Sequence, residues 1–197
     1  MRAGALEALT PLPSGFFARD TAEVARDLLG VWLLHEGVGG PLVETEAYRD
    51  GDDPASHAFR GPTPRSRVMF EEPGRAYVYF IYGNHFCLNV VAHPEGRAGA
   101  VLLRALEPRM GLQEMARRRG RSQPRELAAG PGRLCQALGV DRRHNGLWML
   151  DGSLCLARSA ESFGPVRAGP RVGIRAAREE PLRFSLEGNP YVSRGPG

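Results

Sequence analysis

Short runs rich in β-branched and aromatic residues, cut apart by Gly, Pro, Asp and Asn, recur along this chain far more often than any helical periodicity. They fall at 31–34, 42–48, 76–82, 87–92, 100–106, 153–157, 171–175 and 182–186, and each reads as a strand. The two runs flanking Gly83-Asn84-His85 carry a hairpin signal with a longer turn. Helical patterning is confined to three places. Asp20-Thr-Ala-Glu23 is a capping-box variant opening a helix through Val24, Leu28 and Leu29, closed by Gly30; the others span 110–119 and 133–138. Residues 50–67, dense in Gly, Pro, Asp, Ser and Thr, form an ordered loop or a series of turns. Strands that follow one another without intervening helices argue against a doubly wound sheet. They predict an α+β fold, a single mixed domain with a largely antiparallel sheet flanked by helices. The 197 residues suit one domain. No run approaches the ~20 apolar residues of a membrane span, and the first fifteen or so residues hold no apolar signal core, so a cytoplasmic protein is expected.

Charge narrows the function. All 26 basic residues are arginine, set against 22 acids, for a net charge of +4. Residues 1–56 hold 10 acids and 4 arginines, whereas residues 97–143 alone hold 11 arginines against 4 acids. A concentrated cationic stretch attracts phosphate backbones, and the planar guanidinium suits bidentate phosphate contact. Compositional bias explains the missing lysines but not the clustering. Cys87, Cys135 and Cys155 are odd in number, lack CxxC spacing and have apolar neighbours. They read as buried small hydrophobes in a reducing compartment, with no disulfide and no zinc site.

Three segments suggest chemistry. In Leu42-Val-Glu-Thr-Glu-Ala-Tyr48, strand alternation puts Glu44, Glu46 and Tyr48 on one face and Val43, Thr45 and Ala47 on the other. Two carboxylates about 7 Å apart suit glycosidic hydrolysis, where one activates water or stabilises an oxocarbenium-like centre. Spacing alone favours a solvated face with ordinary surface glutamates, and it does not choose between Glu44 and Glu46. In Ala76-Tyr-Val-Tyr-Phe-Ile-Tyr-Gly83, Tyr77 and Tyr79 share a face, with Tyr82 opposite them at the entrance to the turn. Such rings suit stacking on a base drawn out of a duplex, with one at the hairpin tip as a wedge; tyrosines packing a sheet edge fit as well. Arg104 lies inside the apolar run before Glu107-Pro108. It has to be functional or paired, with Glu107 or another carboxylate, because burying it alone costs several kcal/mol. His57 and the Thr63-Pro-Arg-Ser66 turn are weaker signals.

Taken in order, LVETEAY, the DDPASH loop ending at His57, GPTPRSRVMFEEPGRAYVYFIYG, CLN, AVLLRALEP, GPGRLCQAL, RVG and PLRFSLEGNPYVS resemble the alkyladenine (3-methyladenine) DNA glycosylase family, as a bacterial member. They run from about Phe16 to Val192, with compatible gaps. The resemblance implies an N-terminal extension at 1–15 and a single glycosylase domain at 16–197 whose antiparallel sheet is curved. It implies that Glu46 deprotonates the attacking water, which Arg104 and the main-chain carbonyl of Val172 help to hold. Tyr48, His57 and Tyr79 would stack on the flipped base, and Asn89 would disfavour guanine by crowding its exocyclic amine. Tyr82 would be the wedge, with further DNA contacts at Thr63, Arg65, Asn84 and Arg133. Expected substrates are 3-methyladenine, 7-methylguanine, hypoxanthine and ethenoadenine in double-stranded DNA. The implied enzyme is a monomer of the bacterial nucleoid that uses neither cofactor nor metal. Asn84 stands where some members carry a bulkier apolar residue, and Ser66 where asparagine is common.

With no lysine, no side-chain amine can form a Schiff base with the sugar, so a monofunctional enzyme leaving an intact abasic site is expected. Two other classes stay open on the residues themselves. A hydrolase of free nucleosides or sugars needs the carboxylates but neither the arginine stretch nor Tyr82. For a non-catalytic DNA-binding module, Glu46 and Arg104 would be incidental.

Overall fold

The computed structural model describes residues 9–193, so residues 1–8 of the expected N-terminal extension lie outside it. Among the described residues nine strands form one sheet: β1 Thr10–Pro11, β2 Trp32–His35, β3 Val38–Arg49, β4 Ala76–Ile81, β5 His85–Val91, β6 Gly99–Leu106, β7 Leu154–Arg158, β8 Val166–Gly169 and β9 Arg183–Leu186. Every pairing between them is antiparallel, in the order β1-β7-β2-β3-β6-β5-β4, with β9 on β3 and β8 beside it. Four helices accompany the sheet: α1 Thr21–Asp27, α2 Leu112–Arg119, α3 Pro124–Leu127 and α4 Pro131–Leu138. This is the α+β architecture that the succession of strand-like runs predicts.

The helix starts follow local chemistry. The Asp20 side chain accepts hydrogen bonds from the Ala22 and Glu23 amides, which have no partner within the first turn. A left-handed glycine, Gly111 or Gly139, begins α2 and ends α4. Gly132 in the first turn of α4 meets the His85 ring so closely that a Cβ would lie 2.9 Å from it, and this approach seats α4 against β5.

β3 positions the site. Residues 38–41 pair with β2, and residues 44–46 pair with β9 on one edge and with β6 on the other. The β3–β6 register shifts between Leu42 and Thr45, a bulge that breaks strict alternation. Leu42 and Ala47, of opposite parity, therefore join the same core, while Val43 packs apart from Ala47 with Ala105 and Leu186. The main core sets Leu33, Leu88, Leu103 and Leu106 of the sheet against Leu28, Met115, Leu134 and Leu138 from α1, α2 and α4. A second cluster packs Met69, Tyr77, Val91 and Ala100 beneath the 50–70 segment.

The strand expected at 171–175 is absent; the segment is an irregular loop. Its residues have other partners: the Val172 amide donates to a carboxylate instead of a ladder, Arg171 is buried in an ion pair, and Gly173 is left-handed at φ 77°. β8 was not expected because Val166-Arg-Ala-Gly169 is largely exposed and has no alternation to reveal it. α3 is a single turn without a buried stripe.

Candidate active site

Glu44 and Glu46 are both fully buried, so the surface reading that spacing favours does not hold. They do converge on one side, as alternation predicts. Arg104 on β6 donates from Nε to Glu44 at 2.9 Å, and its Nη1 lies 3.2 Å from Glu46. Glu107 is not its partner; that carboxylate takes Arg109 at 2.9 Å. The glutamates are buried because remote segments cover them. Val172 in the 171–175 loop donates its amide to Glu46 at 2.7 Å, and the Ser193 amide reaches Glu44 at 2.8 Å.

The two carboxylates differ in what holds them. Glu44 also receives Arg183 Nε at 2.6 Å. Burial alone would raise its pKa, but the Arg104 and Arg183 charges and the Ser193 hydrogen bonds together hold it below the usual value. Glu46 receives the Tyr48 phenol at 2.9 Å besides Arg104 and Val172. There burial prevails, and those three donors only partly offset the rise, to which the Glu44 charge adds. Neighbouring acids driven in opposite directions are a recurring mark of divided acid–base roles.

Glu46 lies under a cavity of about 380 Å³ whose lining includes Tyr48, Arg104 and Val172, each bonded to its carboxylate. The opposite wall is aromatic. His57 packs edge-on to Tyr79 with ring centroids 4.8 Å apart, and Tyr77 lies 5.2 Å from Tyr79. His57 Nδ1 and the Tyr77 oxygen are 2.9 Å apart. Burial, helped by the Arg65 charge, lowers the His57 pKa and favours the neutral ring. Burial pushes the Tyr77 phenol up to about 12 and Tyr48 higher still, so both keep their protons. Asn89, opposite Tyr77 in the hairpin register, donates its side-chain amide to the Tyr77 carbonyl at 2.9 Å. That bond fixes which way the amide points.

Tyr82 stands 78% exposed at the hairpin tip, yet it also lines the cavity mouth beside Ile81. Parity alone places it across from Tyr79. Its backbone is left-handed at φ 54°, which is uncommon for a bulky side chain. Arg65 stacks its guanidinium 4.9 Å from the Tyr79 ring centre and bonds the Phe80 carbonyl, so it braces the wall. Thr63 closes a turn with Ser66, while Asn84 and Arg133 lie outside the cavity.

The arginine-rich stretch is less free than its count suggests. Arg97, Arg109, Arg117, Arg118 and Arg143 are held in ion pairs. Arg119, Arg125 and Arg133 have none among the described residues, and they line an open groove of about 880 Å³ that shares Pro131, Gly132 and Val172 with the cavity.

Sequence reasoning left out three residues of the site. Tyr77 was grouped with Tyr79 as a ring able to stack on a base but was not among the named site residues. Cys87, read as a plain buried thiol, lines the cavity opposite Tyr79 in the hairpin. Arg171 gave no signal beyond its place before Val172. Cys155 is half-buried instead of buried, and all three thiols are free. Among the described residues no group of three or more His, Cys, Asp or Glu is placed to hold a metal ion, and no helix is long and apolar enough to cross a membrane.

Fold and site together give an α+β domain with a buried, arginine-paired carboxylate under an aromatic cavity that shares lining residues with an arginine-lined groove. The sequence profile of the family described as Methylpurine-DNA glycosylase (MPG) matches residues 15–190. A protein of Nitrosospira multiformis is 49% identical over 182 residues, covering 92% of this chain and 93% of its own. One from Rhodopseudomonas palustris is 50% identical over 192 residues, 97% of this chain and 92% of its own. A third, from Methanoculleus marisnigri, is 50% identical over 193 residues, 93% of this chain and 98% of its own. All three carry the provisional name 3-methyladenine DNA glycosylase. The chain belongs to the methylpurine-DNA glycosylase family and is a DNA N-glycosylase of DNA repair.

Proposed function

We propose that this enzyme draws alkylated or deaminated purines, among them 3-methyladenine, 7-methylguanine, hypoxanthine and ethenoadenine, out of duplex DNA and hydrolyses their bond to the sugar with a water activated by Glu46. The observation that carries this reading is the buried Glu46 carboxylate, bonded to three groups that line the cavity. A carboxylate offers about four acceptor positions, so one remains for water. The water oxygen attacks the anomeric carbon, its proton passes to Glu46, and the glycosidic electrons leave with the base. Arg104 steadies the carboxylate and offsets charge in the transition state. The Val172 carbonyl, in the segment whose amide bonds Glu46, would orient the water.

His57 and Tyr79 would stack on the extruded base, with Tyr48 closing the other side of the slot. A Tyr77 proton shared with His57 Nδ1 leaves Nε2–H as a donor toward the base. Asn89, its amide pinned by Tyr77, would crowd the exocyclic amine of guanine. Tyr82 would fill the gap in the duplex, with Thr63, Arg65, Asn84 and Arg133 near the phosphates. The enzyme would act as a monomer on the bacterial nucleoid, and without lysine it would leave the abasic site uncut.

The test is a duplex oligonucleotide with one hypoxanthine or ethenoadenine, assayed with and without alkali. Strand scission is expected only after alkali. Glu46→Gln is expected to lose about 10²–10⁴-fold in single-turnover rate while still binding the duplex. Full activity in that variant would remove Glu46 as the base, and breaks without alkali would contradict simple hydrolysis.

A further inference from the structure

Behind the cavity wall lies an ion pair that the hydrolytic reading does not use. Arg171 donates from Nη1 and Nη2 to the two Asp53 oxygens at 2.6 and 2.8 Å, and both side chains are completely buried. Nη1 also reaches the Ala47 carbonyl on β3 at 2.9 Å. Asp53 accepts in addition from the Arg49 and Ala55 amides, each at 3.1 Å, which shapes the loop that carries His57. This end-on arrangement leaves Arg171 Nε buried with no partner among the described residues.

Its place relative to Glu46 is specific. The guanidinium lies 4.7 Å from the Tyr48 ring centre, and the Tyr48 phenol donates to Glu46. The next residue, Val172, gives its amide to the same carboxylate. We propose that Arg171, locked by Asp53, is a positioning residue that holds both the Tyr48 phenol and the Val172 amide on the Glu46 carboxylate. One carboxylate thereby ties the base-stacking loop to the loop that orients the catalytic base. The assignment rests on Glu46 being that base. The charged and titratable groups facing Glu46 are Arg104 from β6, Tyr48 and Glu44 from β3, Cys87 from β5, and Arg171 itself.

The Tyr48 and Val172 bonds both favour the ionised form of Glu46, so loosening them raises the pH at which it ionises. In single-turnover pH–rate profiles on a hypoxanthine duplex, Asp53→Asn and Arg171→Gln are expected to move the acid limb up by about one pH unit. Below the limb this costs about tenfold in rate beyond any loss on the plateau. Arg171→Lys, which keeps the charge but not the fork, should recover part of the shift. If the variants lose rate evenly at all pH values, the pair is structural only and the proposal falls, while Glu46 as base still stands. If Glu46→Gln is active, both fall. A measurement on the unaltered chain does not depend on the variants folding: the Val172 amide resonance should titrate with the midpoint of the kinetic acid limb. An amide indifferent to pH across that limb would overturn the proposal.

Discussion

Exchanging each of the two buried glutamates for glutamine should have opposite effects on stability, because the structure holds their charges for opposite reasons. Glu44 takes Arg183, the Ser193 amide and Arg104 at 2.6, 2.8 and 2.9 Å. Removing one charge from a buried pair costs about 3–5 kcal/mol, and the partly open Arg183 side chain argues for the lower end. In a domain of this size about 1 kcal/mol moves Tm by about 2–4 °C, so Glu44→Gln should melt about 10 °C lower near neutral pH. Glu46 is the reverse case. Its pKa is raised by burial, so the fold disfavours its charge, and Glu46→Gln should melt at or above the wild-type temperature.

The pH dependence gives the sign independently. Glu44, held below its usual value, contributes stability that is present above the unfolded pKa and lost as pH falls through the folded one. Glu46, held above its usual value, contributes stability that is present below the unfolded pKa and lost as pH rises through the folded one. Calorimetric melts should therefore show the Glu44→Gln deficit holding down to the unfolded carboxylate value of about pH 4.3 and shrinking only below it. Any Glu46→Gln advantage should shrink above that value, as pH falls through the raised folded pKa of Glu46. Equal losses in both variants, or a larger loss at Glu46, would refute the division of roles.

Two predictions concern DNA. Tyr82→Ala should retain more activity on single strands or weakly paired lesions than on stable duplex, and equal loss on both would argue against a wedge. Tyr82→Gly should lose the same duplex activity while melting no lower, since it relieves a left-handed backbone that costs a non-glycine residue about 1–2 kcal/mol. Arg125→Gln and Arg133→Gln should each weaken duplex binding without regard to sequence. Each should also lower the slope of log affinity against log salt by about one, and an unchanged slope would place the phosphates elsewhere.

The fold was legible where local chemistry decides it. The Asp20 cap, the hairpin around Gly83 and the runs that became β2, β3, β6, β7 and β9 each follow from residues within one turn or one strand of each other. Legibility failed where a residue's partner lies far along the chain. Residues 171–175 carry strand-like residues, but their amide and guanidinium are taken by Glu46 and Asp53, over 110 positions upstream. Spacing alone left Glu44 and Glu46 as surface glutamates for the same reason, since the segments that cover them come from the far end of the chain.

That failure bears on how the site chooses its base. Within the strand the two glutamates are equivalent: both face Arg104, and both are buried. What separates them is supplied from outside it. The C-terminal segment brings Glu44 a second arginine and an amide, which makes its charge comfortable and its proton affinity low. The loop at Arg171 brings Glu46 only one amide, besides the Tyr48 phenol of its own strand, which leaves the carboxylate short of compensation. A base that is fully compensated has no reason to take a proton from water. In the proposed reaction, the incomplete compensation of Glu46 is what would let it take a proton from water.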